Sequence, residues 1–242
     1  MDFCLCGGDW LNSGDTQEMA KEKLLFADRQ MKLMFSEYHK MMGNHDTNYQ
    51  GIVSEANQTR GDLSRVFIDN EYFSETCSAY FSFSGKETRF FILDSGLDWN
   101  VTMDDYRCEQ IHWLANQLQS NKYEHNAIGI HMFYTDSGKL TPMSELLVGL
   151  CDAYNSNLTL SFQGTIYDYS TIKGKIHFII AGHNHSDGLT YVGKESNLPI
   201  IQSVNFNKEG SSSFDICALN YNKMELYLLR VGLGEERIID LL

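Results

Sequence analysis

The sequence predicts an α/β domain, and three observations lead there. Short, nearly continuous apolar runs recur, each closed by glycine-led polar punctuation. Amphipathic stretches lie between the first of these runs, and in the last third apolar segments follow one another with only short turns. Runs that are apolar on consecutive residues read as strands buried on both faces, and strands alternating with helices give an α/β arrangement. The 242 residues contain only two prolines, with no Pro- or Ser-rich linker and no internal repeat, so a single domain over 1–242 is expected.

The elements follow in order. "FCLC" is a strand that ends in "GGDWLNSGD". Residues 15–37 place Met19, Leu24, Phe26, Met31, Leu33, Met34 and Phe35 at spacings that fit an amphipathic helix only roughly. "KMM" is a strand end that runs into "GNHD", and "RFFILDSG" is a strand over 89–96. A helix over 102–119 has Thr102 as N-cap, Asp105 at N3, and Ile111, Leu114 and Leu118 along its apolar face. "NAIGIH" at 126–131 is a strand, 140–153 a third helix, and "KIHFIIAG" at 175–182 a strand that ends in "HNH". "PIIQSVNF", "SSFDICALNY" and "KMELYLLRVG" then read as consecutive antiparallel strands.

Composition narrows the function classes. A net charge of -13 argues against gripping nucleic acid, because phosphate contacts need Lys and Arg. It leaves room for a small phosphorylated substrate, since bound divalent cations reverse the local field. No 18-residue apolar run exists, so no membrane helix is expected. "MDFCLCGGDW" has neither the basic start nor the apolar length of a signal peptide, and a cytoplasmic location is expected. The six cysteines are scattered and read as free thiols. Cys4 and Cys6 share one face of a strand and read as two buried small residues in preference to a two-thiolate metal site.

The polar strand ends carry the chemistry. Asp9 follows "GG", Asn44, His45 and Asp46 follow "MMG", His131 ends "NAIGI", and His183 and His185 follow "IIAG". In an open α/β sheet the loops at the carboxyl ends of strands converge on one crevice. A carboxylate, an amide and four imidazoles gathered there suit borderline divalent metals.

In this order, "GGDWLNSG", "GNHD", "GIH" and "GHNH" resemble the calcineurin-like metallophosphoesterase superfamily, whose blocks run D-x-H, G-D, G-N-H-[D/E], H and G-H-x-H. The resemblance covers nearly the whole chain, and "LDSGLDW" and "EQIHWLANQL" also resemble the family between its third and fourth blocks. It implies an αββα sandwich of mixed sheets. It implies two divalent metal ions (Mn, Fe, Zn or Co), with Asp9 bridging them, Asn44, His131 and His183 completing one, and His185 on the other. It further implies a metal-bridging hydroxide as nucleophile, His45 as general acid at the leaving-group oxygen, and Asp46 as the acidic partner that orients His45.

The implied activity is hydrolysis of a phosphomonoester or phosphodiester. "GDWLNSG" lacks the Arg of the "GDxxDRG" block of protein phosphatases, and "GNHD" stands in place of their "GNHE". A small-molecule, nucleotide or diester substrate is therefore expected rather than phosphoprotein.

One block departs from the pattern. D-x-H is absent, because "DFC" has the Asp without the His and lies in the strand leading to Asp9. With it go two ligands of the metal on the His185 side and the first strand of the sheet. Three accounts stand: an N-terminally truncated chain, a short form that keeps only the Asn44, His131 and His183 metal, or an unidentified substitute ligand. The first is preferred, since losing an inner strand strands its neighbours' ladder groups, for which a homodimer across the exposed edge is one remedy. A catalytically degenerate member that acts as a binding or interaction module is the alternative function, and a DNA nuclease a weaker third.

The remaining histidines read as structural: His39 and His125 have no motif around them, His112 lies on a helix surface, and His177 is a strand residue with a hydrogen-bonded ring. Asp94 and Asp98 read as solvated loop acids in preference to groups supporting the metals. Phe133, Tyr134 and Tyr167 read as core aromatics in preference to residues that line a substrate cleft.

Overall fold

The structure is a computed structural model that describes residues 2–11, 15–47, 80–95, 104–202, 213–232 and 234–241. Asp98, Thr102 and Cys77 lie outside the described residues. In chain order the first elements are β1 (Cys4–Cys6), α1 (Gln17–Met34), β2 (Tyr38–Lys40), a 3-10 turn (His45–Thr47), β3 (Phe81–Ser84) and β4 (Thr88–Leu93). Then come α2 (Asp104–Gln119), β5 (His125–Ile130), α3 (Pro142–Asn155), β6 (Thr159–Phe162), β7 (Thr165–Asp168) and β8 (Lys175–Ala181). The chain finishes with β9 (Gly188–Val192), β10 (Leu198–Gln202), β11 (Phe214–Asn220), β12 (Glu225–Val231) and β13 (Arg237–Asp240).

The central sheet has the order β3-β4-β5-β8-β10-β9. Its four inner strands are parallel, and β3 and β9 close it antiparallel at the two edges. The inner strands are the near-continuous apolar runs of the sequence, because both faces are covered. On one face α2 and α3 bury Ile111, Leu114, Leu118, Leu147 and Leu150 against Phe91, Ile128 and Ile179. The other face carries a second core of Phe90, Ile92, Phe178 and Ile201. There it meets Leu226, Leu228 and Ile239 of an antiparallel β11-β12-β13 sheet, Met41 and Met42, and Ala20 and Leu24 of α1. Helices, the central sheet and the β11-β12-β13 sheet form successive layers of a mixed α/β fold. Each fully buried Leu, Ile or Phe contributes about 1.5–3 kcal/mol to holding the layers together.

Local chemistry sets the helix ends. Thr141 caps α3 by accepting from the Ser144 N–H, and Pro142 begins the helix, where its missing N–H is not needed. Thr141→Ala is expected to cost about 1 kcal/mol, read as a fall in Tm of roughly 2–4 °C. Thr16 caps α1 in the same way, accepting from Met19. Among the described residues of α1 only Ala20 and Leu24 are buried, while Met19, Phe26, Leu33 and Met34 are exposed, which accounts for the poor helical spacing in the sequence.

Several expectations are corrected. β2 ends at Lys40, one residue into "KMM"; Met41 and Met42 run on as buried chain, with the Met41 N–H on the Cys6 carbonyl. "PIIQSVNF" does not belong to the terminal antiparallel series. Its β10 is buried on every residue and lies parallel to β8 in the central sheet, because only that position covers both of its faces. Phe133 and Tyr167 are core residues, 0% and 2% exposed, in keeping with the preferred reading of these aromatics. The β6–β7 hairpin was not anticipated. Its turn residues Gln163 and Gly164 both have positive φ, 45° and 81°. That is the twist two-residue hairpins favour, but Gln is a weak signal for it.

β1 pairs in parallel with β2, so the candidate residues leave the carboxyl ends of two parallel pairs, β1–β2 and β5–β8. Among the described residues no helix is long and apolar enough to cross a membrane.

Candidate metal centre

Four chain segments converge. Asp9 follows β1 through Gly7 and Gly8, Asn44 follows β2 through Gly43, His131 follows β5 directly, and His183 follows β8 through Gly182. The backbone bends sharply to deliver them. Asp9, His183 and His185 all have positive φ, at 59°, 67° and 50°. Non-glycine residues reach that region at a cost and cluster at functional sites. Gly43 is held by close approach, since a Cβ there would stand 2.1 Å from Asp9 Oδ1 and 2.2 Å from the Asp9 nitrogen.

The side chains meet at short range. Asn44 Oδ1 lies 3.1 Å from His131 Nε2 and 3.0 Å from His183 Nδ1. Asp9 Oδ2 lies 3.1 Å from His131 Nε2. Asp9, His131 and His183 each offer a ligand atom within 4.8 Å of the others. Asn44 and His131 are almost wholly buried, at 1% and 2% exposure.

Both imidazoles are turned toward this point by anchors on their far nitrogens. His131 Nδ1–H donates to the Gly7 carbonyl at 2.6 Å, and His183 Nε2–H donates to Asp136 Oδ1 at 3.0 Å. Each ring therefore presents its other nitrogen to the centre as a lone pair. Two ring nitrogens, an amide oxygen and a carboxylate oxygen converging at about 3 Å repel one another unless a proton or a cation sits among them. The donor set fits a borderline divalent cation, with outer hydrogen bonds fixing the tautomers as metal-ligating histidines require.

The charges respond to the same crowding. Burial pushes the His131 imidazole's pKa down, but the Asp9 carboxylate against it holds it above its ordinary value. Burial likewise works to raise Asp9, and contact with His131 and the His45 N–H holds it below the usual carboxylate range. His183 is pushed down by burial and by the neighbouring His131.

Asp46 has a different set of partners from the one the sequence suggested. Its two oxygens accept four backbone N–H groups: Gly43 at 2.8 Å and Asp9 at 3.0 Å on Oδ2, Trp10 at 2.6 Å and Leu11 at 3.2 Å on Oδ1. These bonds lock the turn after β1 to the turn after β2, rather than backing the His45 ring. Burial and the adjacent Asp9 charge push the Asp46 pKa up to about 7, against the pull of those N–H donors. His45 is half-buried beside the centre, and its N–H donates to Asp9 Oδ1 at 3.0 Å. His185 is exposed and lies outside the group formed by Asp9, His131 and His183.

Asp136 is the residue the sequence did not reveal. It stands in the turn "YTDSGK", closed by a bridge between Tyr134 and Leu140, and no motif marks it. Asp136→Ala is expected to weaken divalent-cation binding by roughly tenfold, measured by titration calorimetry, because losing such an outer anchor costs about 10–100-fold and this carboxylate is exposed. Asp94 is buried, its backbone held on both sides by Gln110.

No family model matches the sequence, and no curated protein sequence matches it either. Solved structures do match in shape. A dimetal phosphatase from Danio rerio superposes with a TM-score of 0.67 at 17% identity, covering 99% of this chain and 84% of that one. A purple acid phosphatase from yellow lupin (Lupinus luteus) seeds superposes with a TM-score of 0.54 at 13% identity, covering 98% of this chain and 52% of that one. The fold is metallophosphoesterase-like. In a metallophosphoesterase-like fold the cluster of Asp9, Asn44, His131 and His183 stands at the carboxyl ends of the strands, where α/β sheets form their crevice.

Proposed function

We propose that the chain is a metal-dependent phosphoesterase that acts on small phosphomonoesters or phosphodiesters. The observation that carries this reading is the convergence of Asp9, Asn44, His131 and His183 with both rings anchored on their outer nitrogens. Those four residues would hold one divalent cation. Asp9 would also reach a second, for which His185 is the proposed further ligand. When bound, the cations supply Lewis-acid polarisation of the phosphoryl group and a water of lowered pKa.

The chain's own residues do the rest. The Gly7 carbonyl and Asp136 keep the two imidazoles in the ligating tautomer. His45 is proposed to donate a proton to the departing oxygen, a role worth about 10²- to 10⁴-fold. Asp46 holds its turn in place through the backbone of residues 43 and 9–11. The net charge of -13 favours a small substrate over nucleic acid, because its phosphate would be neutralised by the cations rather than by a basic surface.

The test is hydrolysis of bis-p-nitrophenyl phosphate and p-nitrophenyl phosphate after Mn²⁺ loading, with metal content determined on the same sample. Metal-dependent turnover that chelation removes is expected. Metal and phosphoester binding without turnover under any divalent cation would instead favour a catalytically degenerate binding module. Two metals per chain are expected if His185 serves as proposed, and one if Asp9, Asn44, His131 and His183 act alone.

A further inference from the structure

The two thiols of β1 stand immediately upstream of this site. Cys4 and Cys6 lie on one face of the strand with their sulfurs 4.0 Å apart, and both are half-buried. Tyr38 and Lys40 face them in register on β2. The hydrogen bond to Cys4 and burial push the Cys6 thiol well above its ordinary range, with the Lys40 ammonium opposing them. The hydrogen bond between the two sulfurs holds the Cys4 thiol below its ordinary range against the effect of burial. The strand then feeds the centre. The Cys6 carbonyl accepts from the Met41 N–H at 2.9 Å, and the next carbonyl, that of Gly7, orients His131.

We propose that Cys4 and Cys6 form a redox-modification site, a vicinal dithiol that hydrogen peroxide closes to an intrastrand disulfide and that thereby loosens the Gly7–Asp9 turn. The Cys4 thiolate attacks one peroxide oxygen. The O–O bond breaks, Cys4 becomes a sulfenic acid, and the released hydroxide takes up the proton Cys4 lost, giving water. The Cys6 sulfur then attacks the Cys4 sulfur, the S–O bond breaks, and the hydroxyl leaves with the Cys6 proton as a second water. Two electrons pass from the sulfur pair to the peroxide.

Closure disturbs the strand for a geometric reason. A disulfide needs sulfurs about 2.05 Å apart and Cα atoms within about 6.8 Å. Residues two apart on an extended strand are separated by roughly 6.6–6.8 Å, at the edge of that range. The strand must pucker at Leu5, whose register partner is His39, and the strain falls on the Cys6–Met41 hydrogen bond and on Gly7. Nothing in this proposal requires the phosphoesterase reading to hold.

The experiment treats the native full chain with hydrogen peroxide, alkylates the remaining thiols, and examines the peptide containing both cysteines by mass spectrometry. That peptide is expected to lose the mass of two hydrogens, to resist alkylation, and to regain both thiols with dithiothreitol. Cys4→Ser and Cys6→Ser are each expected to lose the product. Amide exchange at Gly7–Trp10 and at Met41 is expected to quicken in the oxidised chain and to stay unchanged in peroxide-treated Cys4→Ser. Thiols that survive, oxidation that stops at a sulfinic acid on Cys4, or bridges to another chain would overturn the proposal. A disulfide that leaves exchange at Gly7–Trp10 unaltered would overturn its link to the turn.

Discussion

Asp46→Asn is expected to destabilise the chain by about 2–4 kcal/mol and to abolish divalent-cation binding. The carboxylate is 0% exposed and accepts four backbone N–H groups through its two oxygens. Asn keeps one acceptor oxygen and turns an NH₂ toward two of those donors. Two buried N–H groups are then left facing another donor, and a hydrogen bond to a charged group is worth about 1.5–3 kcal/mol. Removing the repulsion between Asp46 and Asp9 offsets part of that loss, which keeps the total below the sum of two such bonds. Through the N–H groups of Asp9, Trp10 and Leu11, Asp46 makes three of the bonds that join the turns after β1 and β2, beside the His45 N–H on Asp9 Oδ1, so Asp9 and Asn44 lose most of what fixes their relative placement. Urea denaturation reads the stability, and calorimetric titration with Mn²⁺ reads the binding. A variant within about 0.5 kcal/mol of the parent that still binds Mn²⁺ would show that Asp46 is not the tie between the two turns.

That role also marks where the sequence stopped being informative. "GNHD" announces a polar strand end, and "GGD", "GIH" and "GHNH" announce its neighbours, because glycine followed by a ligand type after an apolar run is a local pattern. The strands β1, β4, β5 and β8 and the helices α2 and α3 were legible for the same reason, since burial on both faces or on one helical stripe writes itself into consecutive residues. What each polar residue bonds to is not local. Asp46 could back the His45 ring or hold the neighbouring turn, and only the approach of residues 9–11 decides it. Asp136 reaches His183 across 47 residues of sequence, from a turn that reads like any other. β10 looked like part of the terminal antiparallel series because strand pairing is a tertiary choice, whereas β11 and β12 pair as sequence neighbours and could be read in order; the short β13 beyond them was not read.

Asp9→Asn is expected to lower Mn²⁺-dependent phosphoester hydrolysis by about 10³-fold or more, because it removes the one anionic ligand among Asp9, Asn44, His131 and His183. The same change has a signature that does not depend on catalysis. After chelation, His131 is held above its ordinary pKa of 6.5 by the Asp9 carboxylate and by Gly7, against burial. With Asn at position 9, burial is left with less to oppose it, and the His131 ring is expected to titrate lower, followed by its imidazole NMR shifts. A raised His131 pKa contributes stability that is full below 6.5 and is lost as pH rises through the raised value. A depressed Asp9 pKa contributes stability that is full above 3.8 and is lost as pH falls through the depressed value. In the chelated parent the pair therefore stabilises most between 3.8 and 6.5, and Asp9→Asn is expected to flatten that maximum in Tm against pH. Cation binding runs the other way, since the cation needs the neutral ring that the proton occupies, so Mn²⁺ affinity is expected to climb as pH passes through the raised His131 value. An Mn²⁺ affinity that stays flat across that range would mean that His131 Nε2 is not where the cation binds.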